Sequence, residues 1–141
     1  MKRATILSLC LLLSGTALAT TGGASAQSND AVKSFWQKFK TAVIGGDKET
    51  VATLSRFPIR MSYGVASVKN SAQFMRRWRE VFNVQSNAAQ CFAKKGPEMD
   101  ESNPKRFSVA CPNEAGDDVV VYEFARTPTG WKFIALDNIN E

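Results

Sequence analysis

The apolar residues of this chain change their spacing part-way along. Up to Phe82, apart from extended stretches between residues 57 and 68, they recur every three or four positions, and from Gln90 onward every two. Val32, Phe35, Trp36, Phe39 and Val43 form one helical stripe, with Lys33, Lys38 and Lys40 off it. Asn29 or Asp30 can cap this first helix, and Gly45-Gly46 stops it. Asp47 opens a shorter second helix that runs through Leu54, with Val51 and Leu54 inward. Phe57 to Gly64 alternates like a strand whose early proline, Pro58, suits an edge or first-residue position, and Val65 to Val68 is a second extended stretch. Asn70-Ser71-Ala72-Gln73 reads as a capping box ahead of a third helix with the stripe Phe74, Met75, Trp78, Val81, Phe82. The other face of that helix carries Arg76, Arg77, Arg79 and Glu80.

The second half predicts strands at Gln90 to Lys94, Arg106 to Cys111, Asp118 to Arg126 and Trp131 to Asp137. Helices followed by an antiparallel sheet is an α+β order. Thr127-Pro128-Thr129-Gly130 favours a reversal, so the last two strands form a hairpin. If Cys91 and Cys111 face each other across the preceding pair, Ala93 meets Val109 and Gly96 to Lys105 is the hairpin loop.

Residues 1–26 have the pattern of a cleavable signal peptide. Lys2 and Arg3 precede an apolar run from Ala4 to Leu13, and small residues follow up to Ala24-Ser25-Ala26. Cleavage is expected after Ala26, with Ala19 as the second choice. The apolar run is too short for a spanning helix, which needs about 20 residues. Leu9 before Cys10 also argues against a lipid-modified cysteine, so no stable membrane anchor remains after cleavage. The expected product is a single periplasmic or secreted domain, residues 27–141, with 16 Lys and Arg against 13 Asp and Glu. Its net charge of +3 is mildly basic and, with export, weighs against nucleic acid as a partner. By the same reasoning Arg76, Arg77 and Arg79 beside Trp78 read better as a solvated helix face than as an anion site. Removing Cys10 leaves Cys91 and Cys111 as an even pair bound for an oxidising compartment, which predicts a disulfide contributing ~3 kcal/mol.

The chain contains no histidine. Ser-His-Asp and Cys-His catalysis, histidine-based zinc sites and haem ligation by histidine are thereby excluded. There is also no phosphate-cradling Gly-rich loop and no paired CxxC. No catalytic, cofactor-binding or metal-ligating set emerges from the spacing, and no cofactor is expected.

Several segments taken together resemble the nuclear transport factor 2-like superfamily, in particular its small exported bacterial members of unknown role. They are Phe35-Trp36-Gln37-Lys38-Phe39-Lys40 leading to Gly46-Asp47-Lys48, then Phe57-Pro58-Ile59, the helix from Asn70 to Phe82, and the closing Gly130-Trp131-Lys132-Phe133 strand. The resemblance implies a cone, with three N-terminal helices packed into a curved, mostly antiparallel sheet around a pocket that other members fill with steroids, epoxides or nothing. Trp36, Phe39, Tyr63, Trp78, Tyr122 and Asp137 are the candidate pocket-lining residues, although for the aromatic stripes a plain core is the favoured reading, because aromatic stripes are what helices bury. Three functions stay open. One is a non-catalytic binding or accessory domain of the envelope, engaging a small apolar ligand or an envelope protein. The second is an isomerase, lyase or hydrolase using Asp137 with Tyr63 or Tyr122. The third is an interaction or inhibitory module that presents its sheet, as a homodimer among other assemblies. The missing acid–base residues favour the first.

Overall fold

The structure, a computed structural model, describes residues 23–139. Residues 1–22, most of the expected signal peptide, lie outside them. Helix α1 (Gly23–Ile44) carries the first stripe, and Val32, Trp36, Phe39 and Val43 are buried along it. It begins upstream of the expected cap, because Asn29 and Asp30 are preceded by helix-tolerant Ala24 and Ala26 and simply continue the turn. Gly46, at φ +69°, ends it in the left-handed conformation that glycine adopts without strain. Helix α2 (Lys48–Thr53) is capped as expected, with Asp47 Oδ1 accepting from the Thr50 N–H at 3.0 Å.

Strand β1 (Ser55–Met61) pairs with the short β2 (Ser67–Val68) on one side and, in parallel, with the last strand of the chain on the other. It is therefore an interior strand. Pro58, which has no N–H to give a ladder, stands where the parallel pairing shifts register between Ser55 and Arg60. Helix α3 (Ser71–Arg76) is capped by Asn70 as expected, but Gln73 reaches back to the residue before the cap rather than to the cap itself. Asn70 Oδ1 accepts from the Gln73 N–H at 2.9 Å, and Gln73 Oε1 accepts from the Lys69 N–H at 2.6 Å. The helical run continues past Arg77 and widens into a π-turn over Glu80–Val84.

The expected strand at Gln90 to Lys94 is instead helix α4 (Ala88–Lys94). Asn87 caps it by accepting from the Gln90 N–H at 3.1 Å, and Ala88 and Phe92, four residues apart, are its buried side. Five alternating residues do not distinguish a strand from one helical turn. The expected hairpin goes with that strand. Val109 is paired with Tyr122, while Ala93 is exposed, and the expected loop contains strand β3 (Glu98–Met99). Cys91 and Cys111 are bonded all the same, with Cα atoms 5.8 Å apart. The bond ties α4 to strand β4 (Arg106–Pro112) rather than strand to strand.

Strands β5 (Val119–Thr127) and β6 (Gly130–Asn138) form the expected hairpin, with Gly130 at φ +105° and its carbonyl accepting from Thr127 Oγ1 at 2.8 Å. The sheet order is β2-β1-β6-β5-β4-β3, antiparallel except at β1–β6. All the helices cover one face of this curved α+β sheet, and the core lies between the two layers.

Candidate functional site

The interior between helices and sheet is filled by rings. Phe39 is fully buried at its centre, with the rings of Phe124, Phe133 and Phe92 at centroid distances of 4.9, 5.6 and 6.2 Å. Trp36 packs edge-on against Phe92 at 4.9 Å, and Tyr122 meets Phe92 at 4.9 Å and stacks on Phe82 at 5.8 Å. Edge-to-face and offset contacts at these distances are how aromatic side chains pack a solid core. Of the six candidate pocket residues, Trp36, Phe39 and Tyr122 thus come together as mutually packed core residues. Trp78 and Tyr63 are half-buried at the margin, and Asp137 lies elsewhere.

Both tyrosine hydroxyls are bound to the π-turn. Tyr122 donates to the carbonyl of Val81 at 3.2 Å, which leaves its oxygen to accept from Ser86 Oγ at 3.0 Å. Tyr63 donates to the carbonyl of Glu80 at 3.4 Å. Burial pushes the Tyr122 phenol well above its ordinary pKa. The Ser86 hydrogen bond opposes that rise, and nearby Tyr63 adds to it. Tyr63 is likewise raised, first by burial and then by the Glu80 carboxylate. These phenols are neutral donors whose protons already have acceptors. The receiving carbonyls are backbone atoms of a π-turn, a geometry with no residue-type signature, so residue spacing does not reveal this arrangement.

Asp137 is on the opposite face of the sheet. Counting by twos from the inward Trp131 and Phe133 would carry it inside. A one-residue bulge at Ile134 reverses the parity: Phe124 pairs with Phe133, but Glu123 pairs with Ala135 and Tyr122 with Leu136. Asp137 is left half-exposed, 4.0 Å from Arg60. Arg60 also reaches Glu123 at 3.2 Å, and Arg106 reaches the same Glu123 oxygen at 3.4 Å. This ionic array occupies the outer face of the sheet. Its signal was present in the strict alternation of Tyr122, Glu123 and Phe124, which sends Glu123 away from the core.

Two surface hollows, of about 450 and 280 Å³, adjoin one another at Asn87, Asn113 and Glu114, between the start of α4 and the β4–β5 turn. Half-buried Cys91 lines the smaller one, while its partner Cys111 is fully buried. Among the described residues no cluster of three or more Cys, Asp or Glu side chains is placed to hold a metal ion. No helix among them is long and apolar enough to cross a membrane.

No protein-family model matches the chain, and neither does any curated protein. Solved structures do. A nuclear transport factor 2-like protein with a cystatin-like fold from Novosphingobium aromaticivorans is 14% identical, over 80% of this chain and 81% of its own, with a TM-score of 0.48. A hexachlorocyclohexane dehydrochlorinase from Novosphingobium barchaimii is 13% identical, over 80% and 86%, at 0.48. The Δ5-3-ketosteroid isomerase of a Mycobacterium species is 14% identical, over 77% and 91%, at 0.45. The likeness is one of fold, which hosts enzymes and proteins of unknown function alike.

Proposed function

We propose that this chain is an exported envelope domain with a non-catalytic binding or accessory role, acting through its surface. The observation that carries the reading is the engagement of Tyr122 with Val81 and Ser86 inside an interior filled by rings. A carbon-acid or elimination catalyst on this fold would need a donor free to meet a substrate oxygen and a carboxylate beside it. Here the donors Tyr63 and Tyr122 hold the π-turn and Asp137 pairs across the outer sheet face with Arg60. Export is supported by the leader pattern of residues 1–26 and by the Cys91–Cys111 bond, since such bonds persist in oxidising compartments.

The test is cross-linking and co-purification of the protein from the envelope of cells that make it with its own N-terminus. Mass analysis should give a chain beginning near Gln27, with no acyl group, and a stoichiometric partner retained by Asp137→Asn. Turnover of a small molecule that Asp137→Asn abolishes, or residence of the intact chain in the cytoplasm, would overturn the reading.

A further inference from the structure

The two ends of the Cys91–Cys111 bond differ in what can reach them. Cys111, on β4, is fully buried and pairs across the sheet with fully buried Val120. Cys91, on α4, is half-buried and lines the hollow of about 280 Å³ between α4 and the end of β4. That volume is near the lower end of small-molecule sites, which hold roughly 300–1,000 Å³. The Cys91 N–H donates to the Asn87 carbonyl at 3.0 Å and the Lys95 N–H to the Cys91 carbonyl at 2.8 Å. Asn87, Cys91, Lys94 and Lys95 therefore fall on one side of this helical run, and all four line the hollow. Both lysines are exposed, and neither is in an ion pair among the described residues. Exposed Glu114 lines the same hollow from the β4–β5 turn. Asp117 and Asp118, further along that turn, are held by Asn113 Nδ2 and Asn138 Nδ2, each at 2.7 Å. The hollow thus sets two cations and one anion around the accessible end of the disulfide.

We propose that Cys91 is a thiol–disulfide exchange site for a small peptidic thiol with two carboxylates and one ammonium, the charge complement of Lys94, Lys95 and Glu114. A thiolate of this class attacks Cys91 Sγ and forms a mixed disulfide there. The Cys91–Cys111 bond breaks, and its electron pair leaves on Cys111 Sγ, which takes up a proton from water. The attacking sulfur is oxidised to the disulfide level and Cys111 is reduced to a thiol. Attack at Cys111 would require α4 to come off the sheet, because that residue is enclosed. Cys111 also leaves into apolar surroundings, where an anion is disfavoured, so the open form recloses on Cys91 and expels the small thiol again. Formation of the bond follows the same route in reverse. The Cys91 thiolate attacks the disulfide of the small thiol, and Cys111 then displaces that thiol from Cys91. The proposal does not depend on export or on the absence of catalysis.

The test uses the protein as isolated from cells, with Cys111→Ala to leave Cys91 as a thiol and glutathione disulfide as the probe. Peptide mass mapping locates each adduct and separates Cys91 from Cys10 where the leader is retained. One glutathione adduct is expected on Cys91. Adding Lys94→Gln/Lys95→Gln should slow its formation by roughly four- to ninefold, at about a two- to threefold factor per exposed charge pair. The uncharged bis(2-hydroxyethyl) disulfide should react at the same rate with and without the lysines. In Cys91→Ala, Cys111 should react about a hundredfold more slowly or less, since an enclosed thiol is reached only when the fold opens. Circular dichroism checks that each variant folds. Where one does not, the wild-type protein is treated with reduced glutathione, quenched in acid and mapped, and the first mixed disulfide should lie on Cys91. The proposal is overturned by no adduct on Cys91, or by an adduct that forms on Cys111 as fast. A lysine effect that is absent, or equal for the two disulfides, would also overturn it.

Discussion

Tyr122 on β5 donates its hydroxyl to the backbone carbonyl of Val81 in the π-turn, 3.2 Å away, so that a sheet side chain holds a helix in register. Ser86 completes the arrangement by donating to the same phenol oxygen. Tyr122→Phe removes a buried donor and strands both the carbonyl and the serine hydroxyl. It should destabilise the domain by about 1–3 kcal/mol in urea unfolding. Ser86→Ala should cost less alone, and the double variant less than the sum, because the two residues share one network. Strict additivity would mean that the network is not coupled.

The two tyrosines of the chain should also govern its alkaline limit. Both phenols have pKa values raised in the folded state, Tyr122 and Tyr63 each chiefly by burial. An unfolded phenol titrates near 10, so their contribution is fully present below about pH 10. Above that the unfolded chain loses protons that the folded one keeps, and stability falls. Tyrosinate absorbance should therefore rise together with loss of ellipticity. A titration of either phenol near 10 in the folded protein would contradict this.

Reduction of Cys91–Cys111, or its replacement by Cys91→Ser/Cys111→Ser, should cost ~3 kcal/mol. Because the bond ties a helix to the sheet, hydrogen exchange should accelerate first in α4 and leave the β5–β6 hairpin protected. Loss of protection beginning in β5 and β6 would place the effect elsewhere.

Asn87→Ala should destabilise by about 1 kcal/mol by removing the cap on the Gln90 N–H, and Asn70→Ala by a similar amount at α3. Denaturant midpoints measured at constant slope check both. Unchanged stability in Asn87→Ala would show that α4 is held by its disulfide and by Phe92 alone.

These caps show how far residue pattern reaches. Asn87-Ala88-Ala89-Gln90 repeats the form of Asn70-Ser71-Ala72-Gln73, and both open helices. Only the second motif reads clearly from the chain, because a longer apolar stripe follows it. The seven residues of α4 bury just Ala88 and Phe92, too few to establish a period. The cysteine pair was likewise apparent from its even count, while its geometry depended on what α4 became.

Local spacing determined the buried stripe and the glycine stop of α1, the helices α2 and α3 with their caps, the β5–β6 hairpin and the α+β class, because each is specified by contacts within a few residues along the chain. It also determined that histidine chemistry is absent. Only the assembled sheet decided which face Asp137 takes. A single extra residue, Ile134, in one strand opposite none in its neighbour reverses every side chain beyond it, and that mismatch exists only once β6 lies against β5. The pairing of the tyrosines with the π-turn and the meeting of Lys48 with Trp78 have the same origin. Each joins positions 17 to 41 residues apart that only packing brings within reach.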